Sequence, residues 1–302
     1  MIRKKIQLAL AASALLAAFT IVGCQKQVQN AESEDASEMT MAATESDAEA
    51  EVIFGDAGEQ SAGVDGEIGL GQSDLFSGGV ASADRGTAEI IGNDPIGNRC
   101  FSITITPVEP SAFPKTVTIN YGTGCKGRDG RVRIGKIITV YSKPLILPGA
   151  EAVTQFDGYY VDSVKVEGKL TIQNGTTSSE LKIIRKVENG KLTKTNGAYI
   201  KWDALHTTTM VGGMNTPLNP RDDEWSITGG ARGELVFGTR NLTWSREITE
   251  PLHKAVACHW IDKGIVKIQH NNHQALLDFG NGTCENKATI TINGVTKEIT
   301  LR

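Results

Sequence analysis

The sequence predicts an all-β fold: an antiparallel meander of hairpins, built as a two-sheet sandwich or an open half-barrel, behind a disordered N-terminal tether. Three observations lead there. Segments such as Lys115–Tyr121, Gly135–Tyr141, Val164–Ile172 and Ala288–Ile292 are short, β-branched and alternate in polarity. Asp129-Gly130, Asn189-Gly190, Asn196-Gly197 and Asn293-Gly294 are dipeptides that tolerate positive φ and close tight hairpins. Beyond residue 85, no stretch of ten or more residues repeats with the helical period.

The first element is a basic start (Arg3, Lys4, Lys5), an apolar run from Ile6 to Val22, and Gly23-Cys24. This is the pattern of a secretory signal over residues 1–23. The apolar run is at the short end for a spanning helix, and no second long apolar segment follows. Ile21-Val22-Gly23-Cys24 resembles the bacterial lipobox, which implies acylation of Cys24 as the mature N-terminus. More than one acyl chain on a residue anchors a protein durably, whereas one is marginal. Gln25 after the cysteine, rather than Asp, implies the outer membrane in the lipoprotein sorting pattern.

The next element, residues 24–85, carries fourteen acidic side chains against Lys26 and Arg85 and is otherwise mostly Ala, Ser, Gly and Thr. So little apolar surface does not offset ordering entropy, and a disordered acidic linker is expected. Residues 86–302 then hold 26 basic and 21 acidic side chains and form the mildly basic β-rich domain. Apart from Cys24, the cysteines are Cys100, Cys125, Cys258 and Cys284; an even set in an oxidising compartment reads as two disulfides.

Two parts of the domain look like one module used twice. In each, a cysteine opens a strand, a second strand ends in Asn or Asp, an aromatic and a Gly-rich turn, and a second cysteine follows. These are Cys100 to Cys125 and Cys258 to Cys284. If the modules are copies, each closes on itself, giving Cys100–Cys125 and Cys258–Cys284. The first module with Gly127–Ile137, the phrases Phe156–Val161 and Val166–Gly168, and the closing Asp278–Asn286 and Asn293–Leu301 together resemble a group of uncharacterised lipoproteins of Bacteroidetes-type bacteria. The resemblance spans roughly residues 95–302 and implies location and topology, with no activity attached.

Chemistry is sparsely encoded. His270 and His273, with Cys258 and Cys284 on either side, match no zinc spacing, and a polar hairpin accounts for the histidines better. Asp222-Asp223-Glu224, in a loop before Trp225, are the only carboxylates that suggest a glycosidase pair. There is no Gly-x-Ser-x-Gly elbow, and Gly122-Thr-Gly124 and Gly280-Asn-Gly282 read as turn glycines because strands follow them. Lys126, Arg128, Arg131, Arg133 and Lys136 form the densest basic group, on a hairpin tip and its flanks, where Arg131 and Arg133 share a face. They are the candidates for binding phosphate or acidic glycan. Trp202, Trp225, Trp244 and Trp260 form either a glycan platform or core. Asp162-Ser163-Val164 matches a loose O-glycosylation triplet of Bacteroidetes-type bacteria, with Ser163 as acceptor.

The expectation is therefore a lipid-anchored envelope protein with a non-catalytic β-domain for binding or structure. No metal, cofactor or nucleic acid is called for, and the partners are the membrane itself, an anionic envelope glycan or lipid, or another envelope protein. An envelope glycan hydrolase is the alternative.

Overall fold

The computed structural model describes residues 24–62, 88–91, 100–109, 111–216 and 219–301, with helix side chains described from Ser37 onward. The expected signal peptide, residues 1–23, lies outside them. The chain divides into one unit ending at Ala36 and a second, Ser37–Arg302.

The β-region is a single antiparallel sheet, so of the two architectures expected the open one is formed and the sandwich is not. Its strands are β1 (Ala88–Ile91), β2 (Ser102–Thr106), β3 (Lys115–Asn120), β4 (Cys125–Lys126), β5 (Val132–Tyr141), β6 (Glu151–Val161), β7 (Val164–Asn174) and β8 (Lys182–Thr193). These are followed by β9 (Tyr199–Gly212), β10 (Glu224–Phe237), β11 (Arg240–Ala255), β12 (Lys263–His270), β13 (His273–Asn281), β14 (Lys287–Ile292) and β15 (Val295–Thr300). Neighbours in the chain are neighbours in the sheet, except that β3 pairs with β5 and the two-residue β4 pairs with β5 to the side. Such a meander follows from the alternation read in the sequence, because each strand needs only a turn to find its partner.

The turns fall on two rims. One rim carries tight turns at Gly127–Gly130, Asp162-Ser163, Thr195–Gly197, Gly238-Thr239, Asn271-Asn272 and Asn293-Gly294. The other carries the longer loops, at 107–114, 142–150, 175–181, 213–223, 256–262 and 282–286. Asn293 and Gly294 both have positive φ (50° and 80°), the geometry that suits a two-residue hairpin. Asn189-Gly190 is not a turn as expected. It lies inside β8 at a bulge, where the register with β9 shifts between Val187 and Gly190.

Bulges recur across the sheet, at Ile134/Lys136, Glu167/Lys169, Ile227/Gly230 and Lys263/Ile265. Each adds local bend and twist. Glycine is required where strands approach most closely: a Cβ on Gly135 would sit 2.0 Å from the Gly158 carbonyl oxygen. The bends let strands from β2 to β14 pack their inner faces into one apolar cluster.

What they pack around is a helix, and here the sequence reading needs correction. Residues 24–62, assigned to a disordered linker, form α1 (Cys24–Ala62), and its Ser37–Ala62 portion belongs to the same unit as the sheet. Thr40, Ala43, Ser46, Asp47, Ala50, Ile53, Phe54, Ala57, Gln60 and Ser61 are buried. Their spacing of three and four places them on one stripe of the helix. Most are small, so the helix lies close to the sheet, and Ala and Glu supply high helical propensity. Residues 63–85 of the expected linker lie outside the described residues.

The two disulfides are Cys100–Cys125 and Cys258–Cys284. Each ties the open end of one hairpin, β2–β3 in the first case and β12–β13 in the second.

Candidate functional site

The inner face of a curved sheet is where such a fold would hold a ligand, and in this protein α1 occupies it. Phe54 is the apolar anchor. Its ring stacks on Trp202 with centroids 5.6 Å apart and meets Phe156 edge-on at 6.0 Å. The contact needs Gly190 beneath it, since a Cβ there would lie 2.9 Å from the Phe54 ring. At the C-terminal end of the helix, the Tyr121 hydroxyl donates to Gln60 Oε1 at 2.6 Å. Nearby, Thr154 Oγ1 donates to Ser61 Oγ at 2.9 Å and the Tyr141 hydroxyl donates to the Ser61 carbonyl.

The acidic residues of the helix meet cations and indoles of the sheet. Asp47 accepts from Trp202 Nε1 at 2.9 Å and from Trp244 Nε1 at 3.3 Å, and it pairs with Arg246 at 3.3 Å. Glu51 pairs with Arg246 at 2.9 Å and with Arg185, while His206 stands between these two arginines and contacts both. Asp56 pairs with Arg133 at 2.7 Å, and Glu49 pairs with Lys194 at 2.7 Å.

Burial and charge act against each other in this seam. For Asp47 and Asp56, burial prevails over their arginines and the carboxyl pKa is raised. For Glu51, burial raises the pKa, but Arg185, His206 and Arg246 together outweigh it and hold the pKa below the usual range. Burial, helped by Arg246 and Arg185 and opposed by Glu51, holds His206 down to about 4. At neutral pH this imidazole is uncharged. None of Asp47, Glu51, Arg185, His206 or Arg246 stood out in the sequence. The available signal was the seven-residue spacing of Ala43, Ala50 and Ala57.

The basic group is split by the fold. Arg131 and Arg133 do share a face, but it is the face toward the helix. Arg133 is buried, bridging Asp56 and Asp129 at 2.7 Å each, and Arg131 lies 3.5 Å from Asp56. Lys136 pairs with Asp157 at 3.2 Å. Lys126 and Arg128 remain exposed at the tip. The expectation of five cations acting together is therefore corrected, because the acidic helix claims part of the group.

The acidic triplet sits on the long-loop rim. Asp222 is exposed in a short 3-10 turn (Pro220–Asp222) and accepts from Thr216 Oγ1 at 2.8 Å; Asp223 is half-buried and Glu224, which opens β10, is exposed. Glu224 Oε2 comes within 3.5 Å of His253 Nε2, whose Nδ1 lies 2.6 Å from the buried Asp262. His270 and His273 close the β12–β13 hairpin. His270 Nδ1 contacts the Thr243 carbonyl at 2.7 Å, and His273 Nδ1 contacts Asn293 Oδ1 at 3.2 Å. Among the described residues no group of three or more His, Cys, Asp and Glu is arranged to hold a metal ion. Trp202 and Trp244 are core, Trp225 and Trp260 are half-buried, and Ser163 is exposed at a hairpin tip with φ 70°. Cys24 opens α1, and its side chain lies outside the described part.

Comparison with protein-family models, with curated proteins and with solved structures finds no match in any of the three.

Proposed function

We propose that this protein is a lipid-anchored component of the bacterial outer membrane, facing the periplasm or the cell surface, whose β-domain works by binding rather than by catalysis. The observation that carries this reading is the occupation of the sheet's inner face by α1, with Asp47, Glu51 and Asp56 each engaged by sheet cations. A sheet filled from within by its own chain presents its rims and outer face to a ligand. Lys126 and Arg128 at the exposed hairpin tip suit an anionic envelope glycan or lipid. The lipobox ending in Cys24 supplies the anchor, and the resemblance to Bacteroidetes-type envelope lipoproteins agrees with that location.

Two measurements test the reading. Cys24→Ser should abolish incorporation of a fatty-acid analogue, and continued labelling of the substituted chain would remove the anchor. Purified protein incubated with envelope glycans should retain them without cutting them. The second reading, a glycan hydrolase, has one observation in its favour: Glu224, His253 and Asp262 lie in a line of contacts beside Asp222 and Asp223. Release of new reducing ends that disappears in Glu224→Gln would establish it and overturn the binding reading.

A further inference from the structure

We infer that the outer face of the sheet across β8, β9 and β10 carries a binding site for an acidic polysaccharide. Lys191 and Lys201 take the anionic group of one sugar, and a depression beside them takes a sugar ring. The inference rests on the binding reading above and places the ligand on the outer face instead of the hairpin tip.

The first support is a pair of like charges. In the register of the sheet, Glu167, Lys191, Lys201 and Glu234 form one row from β7 to β10. The row is on the outer face, because the alternate residues Leu192, Ile200 and Trp202 are buried on the inner one. Lys191 and Lys201 stand directly opposite each other, an arrangement that destabilises a sheet. The carboxylates at the ends of the row relieve only one of them. Glu234 takes Lys201 at 2.8 Å, but Glu167 takes Lys165 at 2.8 Å, and among the described residues Lys191 pairs with no carboxylate. Its ammonium lies instead 4.8 Å from the centroid of the half-buried Tyr199 ring, and Lys201 Nζ lies 5.7 Å from the same centroid. An anion set between the two ammonium groups removes their repulsion and gains charge-assisted hydrogen bonds.

The second support is the surface next to them. Two residues further along β9 the outer face sinks into a depression of about 510 Å³, lined in part by Lys186, Glu188, Asp203, Leu205, Gly230 and Arg232. It opens where the β8 bulge between Val187 and Gly190 bends that strand, and where Gly230, directly opposite Leu205, has no side chain to fill the space. A Cβ at Gly230 would lie 2.5 Å from the Arg246 carbonyl oxygen, so the gap is built into the sheet. Leu205, 50% exposed, supplies an apolar floor. Donors and acceptors stand around it: Asp203 accepts from Arg232 Nε at 3.1 Å and from the Asn189 N–H at 2.7 Å, and Lys186 pairs with Glu188 at 2.7 Å. An apolar floor with a few polar groups at its wall suits a sugar ring and its hydroxyls.

The mixture of charges selects the polymer. Glu188, Asp203 and Glu234 stand among the cations, so the closely spaced phosphates of a nucleic acid or a headgroup layer would meet carboxylates as well as ammonium groups. An acidic polysaccharide separates its anionic groups by neutral rings and offers hydroxyl donors to those carboxylates.

The test is calorimetric titration of the purified protein at low salt with a galacturonic acid tetrasaccharide and a heparin tetrasaccharide, and with neutral cellotetraose for comparison. The acidic probes should bind more tightly than cellotetraose, and less tightly as salt rises. Lys191→Gln and Lys201→Gln should each lower their affinity roughly ten-fold, the worth of one charge-assisted hydrogen bond. Lys191→Gln should not lower the melting temperature, because it removes a like-charge contact. Unchanged affinity in both variants, equal binding of cellotetraose, or no binding of either acidic probe would each overturn the inference. Loss confined to Lys126→Gln with Arg128→Gln would overturn it while keeping the binding reading, with the ligand at the hairpin tip. New reducing ends released from either acidic probe would remove the binding reading and this inference with it. Attachment to phosphatidylglycerol vesicles through Lys191 and Lys201, with no binding of the tetrasaccharides, would also overturn it and make the partner a lipid surface.

Discussion

The indole N–H of Trp202 hydrogen-bonds Asp47 at 2.9 Å, joining a sheet residue to one 155 positions earlier in the chain. Asp47 also takes Trp244 and Arg246, so one carboxylate ties three groups from β9 and β11 to the helix. Arg246 keeps its pairing with Glu51 when Asp47 is removed, so the loss falls on the two buried indole N–H groups left without their acceptor. Asp47→Ala should therefore cost about 1–3 kcal/mol. Asp47→Asn should cost less, because the amide oxygen can still accept from the indoles. Denaturant unfolding of both variants checks this, and an Asp47→Ala protein as stable as the parent would mean the helix contributes little.

Gly190→Ala tests how the sheet accommodates Phe54. The added Cβ would lie 2.5 Å from the Trp202 carbonyl oxygen and 2.9 Å from the Phe54 ring. A loss of about 1–3 kcal/mol is expected from such overpacking. Gly238→Ala is the comparison, because a Cβ there meets nothing within 4 Å and only its φ of +59° is strained. The Gly190 variant should unfold at clearly lower denaturant, and equal midpoints would contradict the packing described.

Acid should weaken the protein through His206. Its folded pKa of about 4 lies below the usual value of 6.5, so between those values the unfolded chain binds a proton that the folded chain does not. The stabilisation is complete above about pH 6.5 and is lost as pH falls toward 4, amounting to roughly 2 kcal/mol lost by pH 5. Asp47 and Asp56 act in the opposite sense. Their raised folded pKa values favour folding in acid, and that contribution is lost as pH rises through them. Comparing thermal melts of the parent and His206→Gln from pH 7 to 5 isolates the histidine. The parent should lose more melting temperature than the variant over that range.

Each disulfide closes a loop of about 25 residues, for which chain entropy gives about 3.5 kcal/mol. The double variant Cys258→Ser, Cys284→Ser should melt clearly lower than the parent, and so should Cys100→Ser with Cys125→Ser. Non-reducing peptide maps should show each linked pair. A peptide joining either of the first two cysteines to either of the last two would contradict the pairing.

The strands, most of the turns and the disulfide pairing were legible in the sequence, because each depends on neighbours. Alternation from Ala288 to Ile292 and around Asn293-Gly294 specifies a hairpin wherever it occurs, and a cysteine at each end of such a hairpin has its partner close by. The helix was not legible. Its stripe of Ala43, Asp47, Ala50, Phe54 and Ala57 offers little apolar surface, and alone it has the composition of a solvated acidic tether. It becomes core only when the bulged sheet bends to bring Arg133, Arg185, Trp202 and Arg246 around it. The same event withdraws Arg133 from a surface patch that sequence spacing had placed in the open. Local pattern thus determined the hairpins, while the role of each charge was decided by which distant group the tertiary fold set against it.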